Sequence, residues 1–299
     1  MKGFWQKETN PGSNGQVRSP AVAGAFYPGN AGELRQLVER CFKHSLGPGS
    51  LPRVIPGGKR SLAGLVCPHA GLIYSGPVAA HGYFQLASRA KPERVVILGP
   101  NHHGYGPALS LSAALAWETP LGRIAIDGEG AKKLLAGNPA LRQENDAHVY
   151  EHSLEVQLPF LQYLYGEDFK IIPIAMSEQG LAESTKLGLT IAGAFPADDT
   201  VVIASSDFSH YEPQAAAEKL DGLAIKAIEK MDGDGLFSAI ARHGITMCGP
   251  GPVTAAMAAC RQWGVTEARL LRYATSGDVS GDYSRVVGYA SISMALPEG

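Results

Sequence analysis

Val95-Val96-Ile97-Leu98-Gly99-Pro100-Asn101-His102-His103 decides how the rest of the chain is read. A short unbroken apolar run of this kind is a strand buried on both faces, as parallel strands inside an α/β sheet are. Proline has no N–H to give the ladder, so Gly-Pro ends the strand and turns the chain. Two adjacent histidines therefore emerge at the strand's carboxyl end, where open α/β sheets build their sites.

The same grammar recurs. Leu62-Ala63-Gly64-Leu65-Val66-Cys67 runs into Pro68-His69-Ala70-Gly71, and Val201-Val202-Ile203-Ala204 into Ser205-Ser206-Asp207-Phe208-Ser209-His210-Tyr211. Ile245-Thr246-Met247 runs into Cys248-Gly249-Pro250-Gly251-Pro252. Each apolar stretch stops where a residue able to bind metal or carry a proton appears. If the first three stretches are neighbouring strands, His69, His102 and His210 converge on one edge of one sheet.

Around these runs strand and helix patterns alternate. Residues 20–28 read as an extended lead-in, and Asn30 with Glu33 as the cap of a helix reaching about His44. Residues 47–59 read as an exposed loop, and Pro77 as the first turn of a helix. Residues 108–116 and 122–127 read as a hairpin around 117–121, and 151–165 as a helix that Pro159 kinks or delays. The expected fold is α/β, a single-domain sandwich with a central mixed, mostly parallel sheet flanked by helices. The domain is expected over 19–297, with 1–18 a flexible tail.

Composition narrows the function classes. The net charge is −2 and there is no run of Lys or Arg, which argues against nucleic-acid or membrane-surface partners. No apolar run approaches the ~18 residues of a membrane span. The first residues lack the apolar centre of a secretory signal, so the expected compartment is the cytoplasm. The four cysteines are not spaced as a disulfide framework. There is no GxSxG elbow or phosphate loop, which speaks against a serine hydrolase or nucleotide-binding protein.

Candidate chemistry follows from residue type. His69 precedes a glycine that permits close approach of a ligand. His102 and His103 cannot both face one site if extended; His102 is favoured, with His103 in support. Asp207 and His210, three apart, share a face if the turn is helical, and a carboxylate beside an imidazole sets its tautomer and basicity. Cys248 stands before a helix start that favours the thiolate. A thiolate with two neutral imidazoles suits iron(II), zinc or copper. His152 and Glu155 could support the site, although capping at the surface is the plainer reading of the Glu151-His152-Glu155 cluster.

PAVAGAFYP, CPHAGLIYSG, ILGPNHH, EHSLEVQLPFL, SSDFSHY and CGPGP, in this order, resemble the Memo family, whose bacterial and archaeal members are called AmmeMemoRadiSam system protein B. The resemblance spans about Ser19 to Leu296. It implies a fold similar to class III extradiol dioxygenases, which hold iron(II) with two histidines and a glutamate and use a further histidine as acid/base. By this resemblance His69 and His102 are the imidazole ligands, His210 takes the acid/base place and Asp207 lines the same pocket. Cys248 offers a thiolate where the dioxygenases have a carboxylate, a softer and more oxidisable donor. The implied function is a metal-binding, non-haem iron redox protein or oxidoreductase acting on a small-molecule or peptide ligand, with radical-SAM and AMMECR-type pathway partners. The competing readings are a non-catalytic module for a peptide or metabolite, and a thiol enzyme with Cys248 as nucleophile, His210 as base and Asp207 as orienter.

Overall fold

A computed structural model describes residues 16–55 and 61–297. The chain begins with β1 (Val17–Arg18) and α1 (Ala31–Lys43), then β2 (Leu62–Cys67), α2 (Leu72–Ala87) and β3 (Arg94–Pro100). Four short strands follow, β4 (Leu109–Ser112), β5 (Ala116–Thr119), β6 (Gly122–Ile126) and β7 (Leu141–Glu144), with α3 (Gly128–Gly137) before the last. Then come α4 (Leu158–Tyr165), β8 (Lys170–Met176), α5 (Leu181–Ala194), β9 (Thr200–Ser205) and β10 (His210–Glu212). The chain closes through α6 (Gln214–Glu229), α7 (Gly233–His243), α8 (Pro250–Gln262), β11 (Ala268–Thr275), α9 (Gly277–Ser280) and β12 (Val286–Ala295).

The strands form one mixed sheet ordered β1-β5-β6-β8-β3-β9-β2-β12-β10, with β11 on β12 and β4 joining β7 and β8. Its centre, β6-β8-β3-β9-β2, is parallel throughout. Pleating sends alternate side chains to opposite faces, and here each face is a core. In β3, Val95 and Ile97 enter one core while Val96 and Leu98 enter the other. In β9, Val201 and Ile203 divide from Val202 and Ala204 in the same way. Helices α1, α2 and α4 pack together over one face, and α3, α5, α7 and α8 over the other. An unbroken apolar run is what such a doubly covered strand requires, at about 1.5–3 kcal/mol for each large aliphatic side chain buried.

The architecture is the α/β sandwich expected, with local differences. Val17 and Arg18, placed by the sequence reading in the tail, pair with β5, and Arg18 is buried. The rest of that expected tail, 1–15, and positions 56–59 of the expected loop lie outside the described residues. Residues 20–28 are a knot of turns rather than an extended lead-in: Gly24 at φ +84° lets its N–H reach the Tyr27 carbonyl at 2.7 Å. Helix α2 starts five residues before Pro77 because Gly71 caps it and the Phe26 carbonyl accepts the Leu72 N–H at 2.8 Å. The hairpin is β5–β6, turning at Pro120-Leu121. Trp117 belongs to its first strand, fully buried with its indole N–H on Ser112 Oγ at 3.0 Å. Pro159 delays α4 to Leu158, after a single 3₁₀ turn over Glu155–Gln157. Among the described residues no helix is long and apolar enough to cross a membrane.

Candidate metal centre

Register brings the chemistry together. Cys67 of β2 is level with Ser205 of β9, and Leu98 of β3 with Ala204 of β9, so three adjacent strands end at one height. Two residues past Cys67 stands His69; two past Ser205 stands Asp207; four past Leu98 stands His102. Among the described residues, His69, His102 and His152 each offer a ligand atom within 4.8 Å of the others. The His102 and His152 rings stack at 4.5 Å, and His69 meets both edge-on at 5.2 and 5.4 Å.

Of the two adjacent histidines, His102 joins this group, while His103 is exposed beside Tyr150. His102 is held at two points by the buried Glu151: its backbone N–H donates to Oε2 at 2.6 Å and its ring Nδ1 to Oε1 at 2.9 Å. With Nδ1–H on a carboxylate, the Nε2 lone pair is left for a ligand, as in carboxylate–histidine–metal arrangements. Glu151 reaches this position because Gly99 has no side chain: a Cβ there would lie 2.6 Å from Ser153 Oγ. The Ser153 hydroxyl instead donates to the Pro100 carbonyl at 2.8 Å, tying the Glu151-His152-Ser153 segment to the end of β3.

Glu151, His152 and Glu155 are thus not surface caps. Glu151 and Glu155 are fully buried, and His152 packs against Phe26 at 4.7 Å. Glu155 serves the site from a distance. It pairs with Arg18 at 2.5 Å and accepts from Tyr27 Oη and the backbone N–H groups of Ala21 and Val22. That anchors the turn segment carrying Phe26. His103, Glu151 and His152 also lie within ligand reach of one another, but the Glu151 carboxylate already accepts three N–H groups.

Cys248 joins the pocket from the other side. Its Sγ lies 3.3 Å from His69 Nε2 and 3.2 Å from the Asp207 N–H. Gly249 permits this approach, since a Cβ there would lie 2.7 Å from the Ser205 carbonyl oxygen. The thiolate expected before a helix is not favoured: burial raises the Cys248 thiol, the nearby Asp207 adds to the rise, and both outweigh the Asp207 N–H. The 245–247 run is irregular rather than a strand, and it holds His210 instead. Thr246 Oγ1 accepts the His210 N–H at 2.8 Å and the Thr246 carbonyl lies 2.9 Å from Nδ1. A carbonyl only accepts, so Nδ1 carries the hydrogen and Nε2 is free to take a proton.

Asp207 and His210 do not share a helical face, because residues 206–209 are irregular and His210 opens β10. Backbone N–H groups of this stretch are committed elsewhere: Asp221 Oδ1 accepts the Ser209 N–H and the Gly288 carbonyl accepts that of Phe208, both at 2.9 Å. Asp207 is buried and accepts the His69 backbone N–H at 2.8 Å; burial raises its carboxyl. Burial, reinforced by the neighbouring His152 and His102, holds His69 well below the usual histidine range, and burial brings His152 down to about 4. These rings are therefore neutral near pH 7, the form that ligates metal. Sequence reasoning reads Glu151 as a surface cap and His152 as at most a supporting residue; the signal that points further is a titratable pair directly ahead of a continuous buried run.

A family model described as Memo-like protein matches residues 18–293. The chain belongs to the Memo-like family. It is 48% identical over 283 residues to a MEMO1 family protein of Ignicoccus hospitalis, covering 94% of this chain and 99% of the relative. A MEMO1 family protein of Methanopyrus kandleri is 50% identical over 277 residues, covering 92% and 98%. Among solved structures, an uncharacterized Escherichia coli K12 protein, JW3007, superposes with a TM-score of 0.56 at 11% identity, covering 78% of this chain and 99% of that one. At that identity the likeness shows the fold alone. The site of this Memo-like chain contains a histidine group able to hold a metal.

Proposed function

We propose that this chain is a metal-binding redox protein in which His69, His102 and Cys248 hold non-haem iron, with copper or zinc as alternative occupants. The observation that carries the reading is the convergence of the His69, His102 and His152 imidazoles within 4.8 Å, a cluster that Cys248 meets through His69 alone. Three imidazoles this close form a nitrogen donor set suited to iron, copper or zinc. Cys248, 3.3 Å from His69 Nε2, adds a soft donor on one side, and His152 a further nitrogen on the other. A bound iron would supply redox chemistry at this site. The chain's own residues would do the rest: Glu151 orients His102, and His210 Nε2 takes or returns a proton beside Asp207. The thiol-nucleophile reading is weaker: burial raises the Cys248 thiol, and a bound metal, which that reading lacks, is what would favour the thiolate. The partners in this reading are a small-molecule or peptide ligand and the radical-SAM and AMMECR-type proteins of the implied pathway.

Metal analysis after oxygen-free purification tests it. Near-stoichiometric iron, copper or zinc is expected in the wild-type protein and is lost in His69→Ala and His102→Ala. A folded wild-type protein with no measurable affinity for any of the three would sink the proposal.

A further inference from the structure

Ser205, at the carboxyl end of β9, is fully buried under His69. A serine hydroxyl has one hydrogen to give and two lone pairs to accept with. Here the hydrogen goes to the Ser153 carbonyl at 2.6 Å. One lone pair accepts Gln157 Nε2 at 2.8 Å, and the other faces His69 Nδ1 at 2.8 Å. The Gln157 amide is itself locked. Its Nε2 also donates to the Pro68 carbonyl at 3.1 Å, and its Oε1 accepts the Tyr83 hydroxyl at 2.6 Å. A carbonyl cannot donate and an amide NH₂ cannot accept, so neither Gln157 nor Ser205 can turn around. The only role left for His69 Nδ1 is donor.

We propose that Gln157 and Ser205 are positioning residues that hold His69 in its Nδ1–H tautomer and aim the Nε2 lone pair into the pocket. A histidine side chain in water favours the opposite tautomer, so the network imposes a form the ring would not choose. Nε2, stripped of hydrogen, faces the Cys248 thiol at 3.3 Å in the metal-free protein, where the Asp207 carbonyl at 3.4 Å competes for the thiol hydrogen, and becomes the ligating atom when metal binds. Gln157 approaches from the 3₁₀ turn ahead of α4, Ser205 from β9 and His69 from β2. Three elements distant in sequence thus set one proton. The consequence for metal binding rests on the function proposed above; the tautomer itself does not.

The experiment uses the full chain. In metal-free wild-type protein at neutral pH, ring ¹⁵N NMR is expected to show His69 protonated at Nδ1 and bare at Nε2. Ser205→Ala removes the acceptor and is expected to lose that signature. Its zinc affinity, measured by competition with a chromophoric chelator, should fall about 10–100-fold, the usual cost of losing a partner behind a ligand. Gln157→Met, which keeps shape but not donors, should show a smaller loss, and Ser205→Thr, which keeps the hydroxyl, should recover both readouts. A wild-type His69 protonated at Nε2 overturns the proposal, as does Ser205→Ala or Gln157→Met with unaltered tautomer and zinc affinity. The expected tautomer in a wild-type protein without zinc affinity supports the positioning role and defeats the metal reading instead.

Discussion

Replacing Glu151 by glutamine removes one charge from a side chain that has no exposed surface. The carboxylate accepts three N–H groups: the His102 backbone at 2.6 Å, His102 Nδ1 at 2.9 Å and the Ser153 backbone at 2.8 Å. Burial alone would raise its pKa. The hydrogen bond and charge of His102, with the Ser153 N–H, outweigh burial and hold the carboxyl well below the usual range. An amide has one acceptor oxygen and one NH₂. Placed on the Oε2 side, the NH₂ meets the His102 backbone N–H; placed on the Oε1 side, it meets the Ser153 N–H and the imidazole. The first choice loses one bond, the second two. Losing a charge-assisted bond costs about 1.5–3 kcal/mol and stranding a buried donor about 1–3 kcal/mol. The metal-free variant should therefore unfold in urea with a stability about 2.5–6 kcal/mol lower. Its zinc affinity should fall about 10–100-fold, because a neutral amide oxygen holds the orientation and tautomer of His102 less firmly than the carboxylate does. A variant that unfolds at the wild-type midpoint and binds zinc within about twofold of wild type would refute the reasoning.

Gly99→Ala places a Cβ 2.6 Å from Ser153 Oγ and 3.1 Å from Leu154 Cδ2; overpacking of this kind costs about 1–3 kcal/mol. The displaced segment carries Glu151 and His152, so zinc affinity should fall together with stability, and a loss of stability alone would break the link drawn between them. Arg18→Met leaves the Glu155 carboxylate buried without its cation and should cost roughly 3–5 kcal/mol in urea unfolding, part of which Arg18→Met with Glu155→Met recovers; additivity of the two changes would contradict a direct pairing. His148 is buried, and burial, with the charge of Arg18, pushes it down to about 3 from an ordinary 6.5. Below 6.5 the unfolded chain takes up a proton that the native state refuses until about 3. Stability is therefore undiminished above 6.5 and declines across that window, at a slope approaching about 1.4 kcal/mol per pH unit. His148→Gln should flatten the urea-midpoint profile there, and an unchanged slope would remove His148 from the acid response.

The apolar runs ending at Cys67, Leu98 and Ala204 were readable because a strand covered on both faces needs no polar alternation, and Gly-Pro or a polar turn marks its end. Burial depends on local side-chain chemistry, so the α/β class and the strand ends that carry His69 and His102 follow from linear pattern. Asn30 capping α1 is equally local, its Oδ1 accepting Gly32 and Glu33 N–H groups. The irregular regions misled for the same reason. Trp117 was read as loop although its burial makes it strand, and residues 206–209 were allowed a helical turn that partners on α6 and β12 forbid.

Which side chains meet across those strand ends was decided only by the tertiary structure. His102 and Glu151 are 49 residues apart, His69 and Ser205 136, and Cys248 and His69 179. No pattern along the chain encodes such distances, because they depend on the register of parallel strands and on how closely Gly99 and Gly249 let the backbone approach. Residue type alone announced the donors. The direction of each lone pair, and the neutrality of the buried rings, arose from partners that only folding brings within 3 Å.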